Sequence, residues 1–150
     1  MKIWVDADAC PKVIKEILFR VAERTGRELV FVTNQPLKLP VAPNIRLQQV
    51  EFGPDIADDK IVEMAEAGDL VITADIPLAA RVVDKGAMAL DPGGRLYDTN
   101  NIKQILSMRD FMDSMRGSGM IEEGGGKGFG QKERQEFANQ LDRILAKSKA

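Results

Sequence analysis

Short apolar runs alternate with amphipathic stretches along this chain, and that alternation limits the possible fold more than any other feature. Residues 2–6 form an apolar run that is too short for anything but a buried strand. The residues after Pro11 follow a helical period that ends at Gly26. A second strand is predicted over residues 28–34. Strands that are separated by helices favour a parallel sheet with helices on both faces.

The alternation continues after a proline-rich loop at residues 35–44. It predicts a strand at 46–51, helices from Pro54 and from Pro77, strands at 70–73 and 87–90, and a helix at 99–115. The uninterrupted apolar run at 70–73 is typical of a parallel strand that is covered on both faces. The expected class is therefore α/β, with three α/β/α layers and a mainly parallel sheet of about five strands. The 150 residues match one domain of that class.

The C-terminal region combines a glycine-rich stretch with a final helix. Residues 117–130 contain seven glycines and are expected to form a flexible loop, and residues 131–147 have the apolar spacing of a helix. The stretch is not a P-loop, because it lacks the Gly-Lys-Ser/Thr ending. We expect Lys127, Lys132 and Arg134 to contact a phosphate backbone, although a solvated charge run is the more common reason for such residues.

The chain has no histidine and one cysteine, Cys10. The absence of histidine excludes Ser-His-Asp and Cys-His catalysis and most zinc sites. A single cysteine excludes an intrachain disulfide, and no signal peptide or membrane-spanning apolar run is recognisable, so a cytoplasmic location without membrane contact is expected. The net charge of −2 provides no general attraction to nucleic acid, so such a partner has to be bound through a local basic patch or a metal ion.

Five aspartates are predicted to lie at the edge of the sheet where its parallel strands end. Asp6 ends the first strand and Asp8 follows it, Asp75 follows the fourth strand, and Asp58 and Asp59 begin the helix after the third. Ligands bind beyond the carboxyl ends of the strands in sheets of this kind. Carboxylates that converge there repel one another unless a cation neutralises them, and hard oxygen ligands favour Mg²⁺ or Mn²⁺.

Each of these aspartates also has a purely structural explanation. Asp8 and Asp75 precede helices and would serve as N-caps. Asp58 and Asp59 would interact favourably with the positive end of a helix dipole without any metal. The prediction of a metal site therefore depends on the convergence of the carboxylates and not on any one of them.

Four further polar residues or thiols lie close to the ends of predicted strands. Thr73 and Asn34 end strands there and are expected to contact substrate, through a phosphate or a bound water. Asp69 precedes the fourth strand, so it is expected at the opposite edge. Cys10 has no histidine partner and is expected to be a small packed residue rather than a nucleophile.

Three segments together resemble one known family. They read Asp-Ala-Asp-Ala-Cys-Pro at 6–11, Asp-Ile-Ala-Asp-Asp at 55–59, and Gly-Asp-Leu-Val-Ile-Thr-Ala-Asp-Ile-Pro-Leu-Ala at 68–79. These strings closely resemble the YaiI/YqxD family of uncharacterised bacterial proteins, and the likeness runs nearly end to end. That family is similar to PIN-like and NYN nucleases, so the resemblance implies a PIN-like fold and an Mg²⁺ or Mn²⁺ site.

The resemblance also implies which residues bind the metal. By position, the nuclease ligands fall on Asp6, on Asp58 or Asp59, and on Asp75. We assign the metal to Asp6, Asp59 and Asp75, and all five aspartates, including Asp8, are catalytic candidates. The chain departs from the family near residues 124–134, where the family usually has prolines between the glycines and then an Asp-Arg pair, while this chain has Glu-Arg.

The predicted function is metal-dependent hydrolysis of phosphodiester bonds, with RNA as the favoured partner. One alternative is a non-catalytic module that binds nucleic acid or protein on the same fold. The other is a phosphatase of the haloacid dehalogenase type, because Asp6-x-Asp8 after an apolar strand opens that family, with one aspartate as the nucleophile and the other as acid/base. The Gly68-Asp69 pair argues against the phosphatase, because it starts a strand here and ends one there.

Overall fold

The structure, a computed structural model, describes residues 1–117 and 130–148. It contains one sheet of six strands. Its strands are β1 (Ile3–Asp6), β2 (Leu29–Thr33), β3 (Ile45–Gln49), β4 (Leu70–Ile72), β5 (Met88–Leu90) and β6 (Leu96–Tyr97). The helices in these ranges are α1 (Lys12–Thr25), α2 (Ile56–Met64), α3 (Ile76–Asp84), α4 (Ile102–Gly117) and α5 (Gln131–Lys147). A short 3₁₀ turn, Ala7–Ala9, follows β1.

The order of the strands across the sheet is β3-β2-β1-β4-β5-β6. Among the described strands all neighbours are parallel except β5 and β6. The expectation of about five strands was one too few, because the two residues of β6 are too short to show a period, and β6 is recognisable only from its pairing with β5. The chain builds outward from β1 to β3 and then returns to the other side of β1 with β4. The strand order therefore reverses between β1 and β4.

Helices cover both faces of the sheet, which confirms the predicted three-layer α/β/α architecture. On one face, α1 and α5 pack against Ile3 and Val5 of β1. On the other face, α2, α3 and α4 pack around Trp4. Because successive side chains of a strand point to opposite faces, Asp6 follows Trp4 onto the face that α2 and α3 cover.

The sequence of α1 explains how one of these layers forms. Ile14, Leu18 and Val21 are buried and recur at helical spacing, so they form one stripe against the sheet. Pro11 precedes the first turn. Gly26 ends the helix with a φ of 72°, a left-handed conformation that glycine adopts without a steric penalty. The helix therefore begins and ends where the sequence predicts.

Asp69 anchors the sheet edge opposite the predicted site. Its buried carboxylate accepts hydrogen bonds from the Trp4 indole Nε1 and from the backbone amides of Lys2 and Glu66, each at 3.0 Å. These bonds satisfy the buried charge and join the starts of β1 and β4. Asp69 is thus a structural residue, and its predicted position at the opposite edge is confirmed.

The outer surface of α4 exposes two large apolar side chains, Met108 and Phe111. Within the described ranges, no helix combines the length and the apolar character that crossing a membrane would need.

Candidate metal centre

The carboxyl ends of β1 and β4 lie side by side where the strand order reverses, and open parallel sheets bind ligands at such points. Asp6 is the last residue of β1, and Thr73 directly follows β4. The Thr73 hydroxyl donates a hydrogen bond of 3.1 Å to Asp6 Oδ2, and both side chains are buried. This bond fixes the orientation of the Asp6 carboxylate and leaves its Oδ1 free of that contact.

Asp75 begins α3 from the same edge. Its Oδ1 accepts a hydrogen bond of 3.0 Å from the Leu78 amide, so the side chain caps the helix. The Asp75 amide in turn donates to Thr73 Oγ1 at 3.0 Å. The N-cap role that the sequence suggests for Asp75 is therefore confirmed, and Thr73 connects this cap to Asp6.

Asp58 lies in the first turn of α2 and approaches Asp75. The two carboxyl groups share a hydrogen bond, and burial, together with the charges of Asp75, Asp6 and Asp55, raises the pKa of Asp58 to about 6. A carboxyl group with this pKa exchanges its proton near neutral pH.

The pKa of Asp6 is also raised. Burial raises its pKa most, the hydrogen bond from Thr73 opposes that rise, and the charges of Asp75 and Asp8 add to it. Asp6, Asp58 and Asp75 therefore form one electrostatically connected group, which we call the acidic triad. No lysine or arginine in the described ranges forms a salt bridge with any of the three.

Asp59 is paired with an arginine rather than with the acidic triad. Its carboxylate is exposed and lies 2.8 Å from the guanidinium of Arg81. Neighbouring residues on a helix are separated by about 100° around the axis, so Asp58 and Asp59 project in different directions. Of the two positions that the family resemblance allows, the contact with Asp75 favours Asp58, and the assignment of Asp59 as a metal ligand stays a prediction.

Asp8 lies nearby but has a different partner. It accepts a hydrogen bond of 2.6 Å from the hydroxyl of Thr33 at the end of β2. The predicted N-cap role of Asp8 is wrong, because α1 begins after Pro11 without any side-chain cap. The pairs Thr33–Asp8 and Thr73–Asp6 share one arrangement. In each pair a threonine at the end of a neighbouring strand donates a hydrogen bond to an aspartate at or just after the end of β1.

Thr33 was not among the predicted site residues, although it precedes one of them, Asn34. Asn34 lines a cavity of about 330 Å³ together with Asp8, Cys10 and Lys15. Its Oδ1 is buried and has no hydrogen-bond partner among the described residues. Burial raises the pKa of the Cys10 thiol to about 12, so Cys10 is a packed thiol and not a nucleophile at neutral pH.

The predicted basic contacts of the C-terminal region lie apart from the acidic triad. Lys132 and Arg134 are exposed in the first turn of α5, which packs on the α1 face, and the triad lies on the α2 and α3 face. The N-terminal part of α5 contacts Gly94 in the turn after β5. Lys132 and Arg134 therefore lie near the edge of the sheet that carries the acidic triad, but on its other face. Lys127 and most of the glycine-rich stretch lie outside the described residues.

Two arginines that the sequence did not indicate lie beside the acidic triad. A cavity of about 560 Å³ is lined by Arg81 of α3 and Arg109 of α4 together with Asp55, Asp58 and Asp75. Nothing in the local sequence predicts this, because Arg109 reaches the site only through the packing of α4 against α3. The site is thus acidic at the strand ends and basic on the adjoining helices.

The donor set of the acidic triad suits a hard divalent cation. It offers carboxylate and hydroxyl oxygens and no histidine or thiolate, and mutual repulsion of the carboxylates would be relieved by a cation. Over residues 1–117 and 130–148, no group of three or more acidic or cysteine side chains is placed so that it could hold a metal ion. Mg²⁺ needs fewer protein ligands than that, because it is usually held by one or two carboxylates together with water and substrate phosphate.

The model of a known family matches almost the whole chain. A family model described as "Uncharacterized BCR, YaiI/YqxD family" matches residues 4–147. The chain belongs to the YaiI/YqxD family. This confirms the membership that residues 6–11, 55–59 and 68–79 suggest, since all three segments fall within the match.

Individual YaiI/YqxD relatives align at high identity over nearly their full length. A UPF0178 protein of Thioalkalivibrio sulfidiphilus is 61% identical over 147 residues, which cover 98% of this chain and 99% of the relative. A UPF0178 protein of Vibrio cholerae is 63% identical over 147 residues and 98% of both chains. A UPF0178 protein of Aliivibrio fischeri is 60% identical over 149 residues and 99% of both. The chain is thus similar to these YaiI/YqxD proteins from end to end.

Proposed function

We propose that this chain is a divalent-metal-dependent hydrolase that cleaves phosphodiester bonds in RNA. The observation that carries the proposal is the acidic triad at the point where the strand order reverses. Its three carboxylates repel one another, and no salt bridge within the described ranges compensates them. Residues that lower the stability of the fold in this way are typical of functional sites.

Asp6 and Asp75 are the residues that would hold Mg²⁺ or Mn²⁺. Oδ1 of Asp6 takes no part in the bond from Thr73, which goes to Oδ2, and Oδ2 of Asp75 takes no part in the cap of α3, which uses Oδ1. When bound, the ion supplies polarisation of a phosphoryl oxygen and a lower pKa for an attacking water. Thr73 positions both carboxylates, because its hydroxyl contacts Asp6 and the Asp75 backbone.

Asp58 is the residue that we assign as general base. A base works best when its pKa lies close to the pH of the reaction, and the pKa of Asp58 is about 6. The Asp58 carboxylate would accept the proton of the attacking water. Asp75 would stabilise the protonated form that results, through the hydrogen bond that the two groups share.

RNA is favoured as the substrate by resemblance to PIN-like and NYN nucleases, and the three-layer fold is consistent with that relationship. The phosphatase alternative requires Asp6 and Asp8 to act on one phosphoryl group. Asp8 instead bonds Thr33 at the end of β2, so we do not propose a phosphatase. The single cysteine is consistent with the reducing cytoplasm as the place of action.

A non-catalytic binding module is the second candidate. The observation that favours it is the open arrangement of the carboxylates, since no three possible ligands in the described ranges are already grouped around one point. A module of this kind would keep the fold and the acidic edge and would bind nucleic acid without cleaving it.

The test is cleavage of labelled single- and double-stranded RNA and DNA with Mn²⁺ or Mg²⁺ present. We expect Asp6→Asn, Asp58→Asn and a chelator each to abolish cleavage. Asp142→Asn is the matched control, because Asp142 forms an exposed pair with Arg24 away from the triad and should leave cleavage unchanged. Cleavage that persists in Asp6→Asn would contradict the proposal, and binding without cleavage by the wild type would support the second candidate.

A further inference from the structure

Two cavities adjoin beside the acidic triad and along α4. The first, of about 560 Å³, is lined by Asp58 and Asp75 of the triad and by Arg109. The second, of about 300 Å³, is lined by Arg109 and Arg95. Ile76 and Arg109 line both cavities, so the two are neighbours, and we call them together the groove. It leads from the carboxylates to a surface with guanidinium groups.

The walls of this groove differ along its length. Near the acidic triad they carry Arg81 and Arg109 together with the carboxylates of Asp58 and Asp75. Further along α4 they are mostly apolar, with Ile105, Met108 and Met112 beside Arg95. A basic wall with an apolar floor suits a single nucleic acid strand, whose phosphates need cations and whose bases need apolar surface.

The arginines are held by contacts that a phosphate would replace at little cost. Arg81 pairs with Asp59 at 2.8 Å, and both side chains are about half exposed, at 47% and 62%. Arg109 lies 3.3 Å from Asp110 and 3.3 Å from Asp113 on its own helix. Exposed ion pairs contribute little to stability, and a phosphate offers a guanidinium two parallel hydrogen bonds.

Binding of a nucleic acid strand to this protein requires a local source of positive charge. The chain has a net charge of −2, and the acidic triad by itself repels a polyanion. A metal ion would compensate the triad only at the bond that reacts. The neighbouring phosphates of a strand would still lack partners, and Arg81 and Arg109 are the cations that the structure places beside that point.

We propose that Arg81 and Arg109 bind the backbone phosphates next to the reacting bond, and that a single nucleic acid strand continues along the groove toward Arg95. The proposal rests on the proposed function only for the position of the reacting bond. Binding itself requires neither cleavage nor metal. Arginine is suited to this role because its planar guanidinium matches two phosphate oxygens at once.

The test measures binding separately from cleavage. A fluorescein-labelled 2′-O-methyl RNA strand, which resists hydrolysis, is titrated with protein and followed by fluorescence anisotropy, with EDTA and with Mn²⁺. Arg81→Gln and Arg109→Gln are each expected to weaken binding about fivefold at moderate salt. Each should also lower the slope of log K against log salt concentration by about 0.7, the value for one phosphate contact on a single strand.

Arg24→Gln is the matched control, because Arg24 also pairs with an exposed aspartate, at 3.2 Å, but lies on α1. It should change neither the affinity nor the slope. Thermal melting of each variant confirms that it is folded. Equal binding by Arg81→Gln, Arg109→Gln and the wild type, an equal loss in Arg24→Gln, or no binding by the wild type would each overturn the proposal.

The two proposals fail in different ways. If the wild type binds the strand through Arg81 and Arg109 but cleaves no RNA with Mn²⁺, the groove stands and hydrolysis is rejected. If RNA is cleaved and the two arginine variants bind as tightly as the wild type, the hydrolase stands and the groove is rejected.

Discussion

Replacement of Asp58 by asparagine should make the apo protein more stable at neutral pH. The pKa of Asp58 rises from its ordinary 3.8 to about 6 in the fold, so the folded state binds this proton more tightly than the unfolded chain does. The stability that the proton provides is fully present below pH 3.8 and is lost as the pH rises through about 6. Asparagine has nearly the shape of the protonated acid and does not lose its hydrogen atoms.

The size of the effect follows from the two pKa values. A rise from 3.8 to about 6 corresponds to a maximum of about 3 kcal/mol. Asp58 is partly exposed, so solvent screening reduces the expected gain to about 1 kcal/mol. For a chain of this length that gain raises Tm by about 3 °C. The gain should be present at about pH 7.5 and absent below about pH 4.

Urea unfolding followed by tryptophan fluorescence is the appropriate assay. Trp4 is the one tryptophan of the chain, and it is buried and hydrogen-bonded to Asp69, so its fluorescence reports on unfolding of the core. Asp59→Asn is the control, because Asp59 is exposed and paired with Arg81, and its loss should not stabilise the protein. Mn²⁺ should stabilise the wild type more than Asp58→Asn.

Two results would refute this reasoning. If Asp58→Asn is no more stable than the wild type at about pH 7.5, the carboxylates of the acidic triad do not repel one another to the extent that the geometry implies. If the gain persists unchanged below about pH 4, it arises from something other than the charge of Asp58.

Three further predictions concern single residues. Asp69→Ala should destabilise the fold by about 3 kcal/mol in urea unfolding, because three N–H donors lose a buried acceptor; a loss below that of an exposed Asp142→Ala would contradict this. Asp75→Ala should cost about 1 kcal/mol through the lost cap, whereas Asp75→Asn retains the cap and should cost less, as compared by thermal melting. Asp55 has a φ of 63°, so Asp55→Gly should raise the stability to urea by up to about 1 kcal/mol, and a loss would show that its side chain stabilises the turn.

Much of the fold could be predicted because the strands are buried on both faces and are separated by periodic helices. The predicted strands and helices match the described ones within a few residues. The two-residue β6 marks the limit of such reasoning, because β6 exists through its pairing with β5 and not through any local pattern. Periodicity requires more residues than β6 contains.

The candidate site was predicted in outline and not in detail. The rule that ligands lie beyond the strand ends located Asp6 and Asp75 correctly. It did not distinguish Asp58 from Asp59, because that choice depends on how α2 is rotated about its axis. Arg109 was missed altogether, since a residue of α4 reaches the site only through the packing of the helices.

The position of β1 between β2 and β4 also determines when the acidic triad can form during folding. Asp6 and Thr73 are 67 positions apart, and the chain from residue 1 through β3 contains neither Asp58 nor Asp75. A nascent chain that has folded only this part would carry Asp6 beside β2 without Asp58 or Asp75. The repulsion within the acidic triad is therefore complete only when β4 docks on β1 and Asp75 follows it, and a cation that binds the triad would stabilise that step of assembly and not the earlier ones.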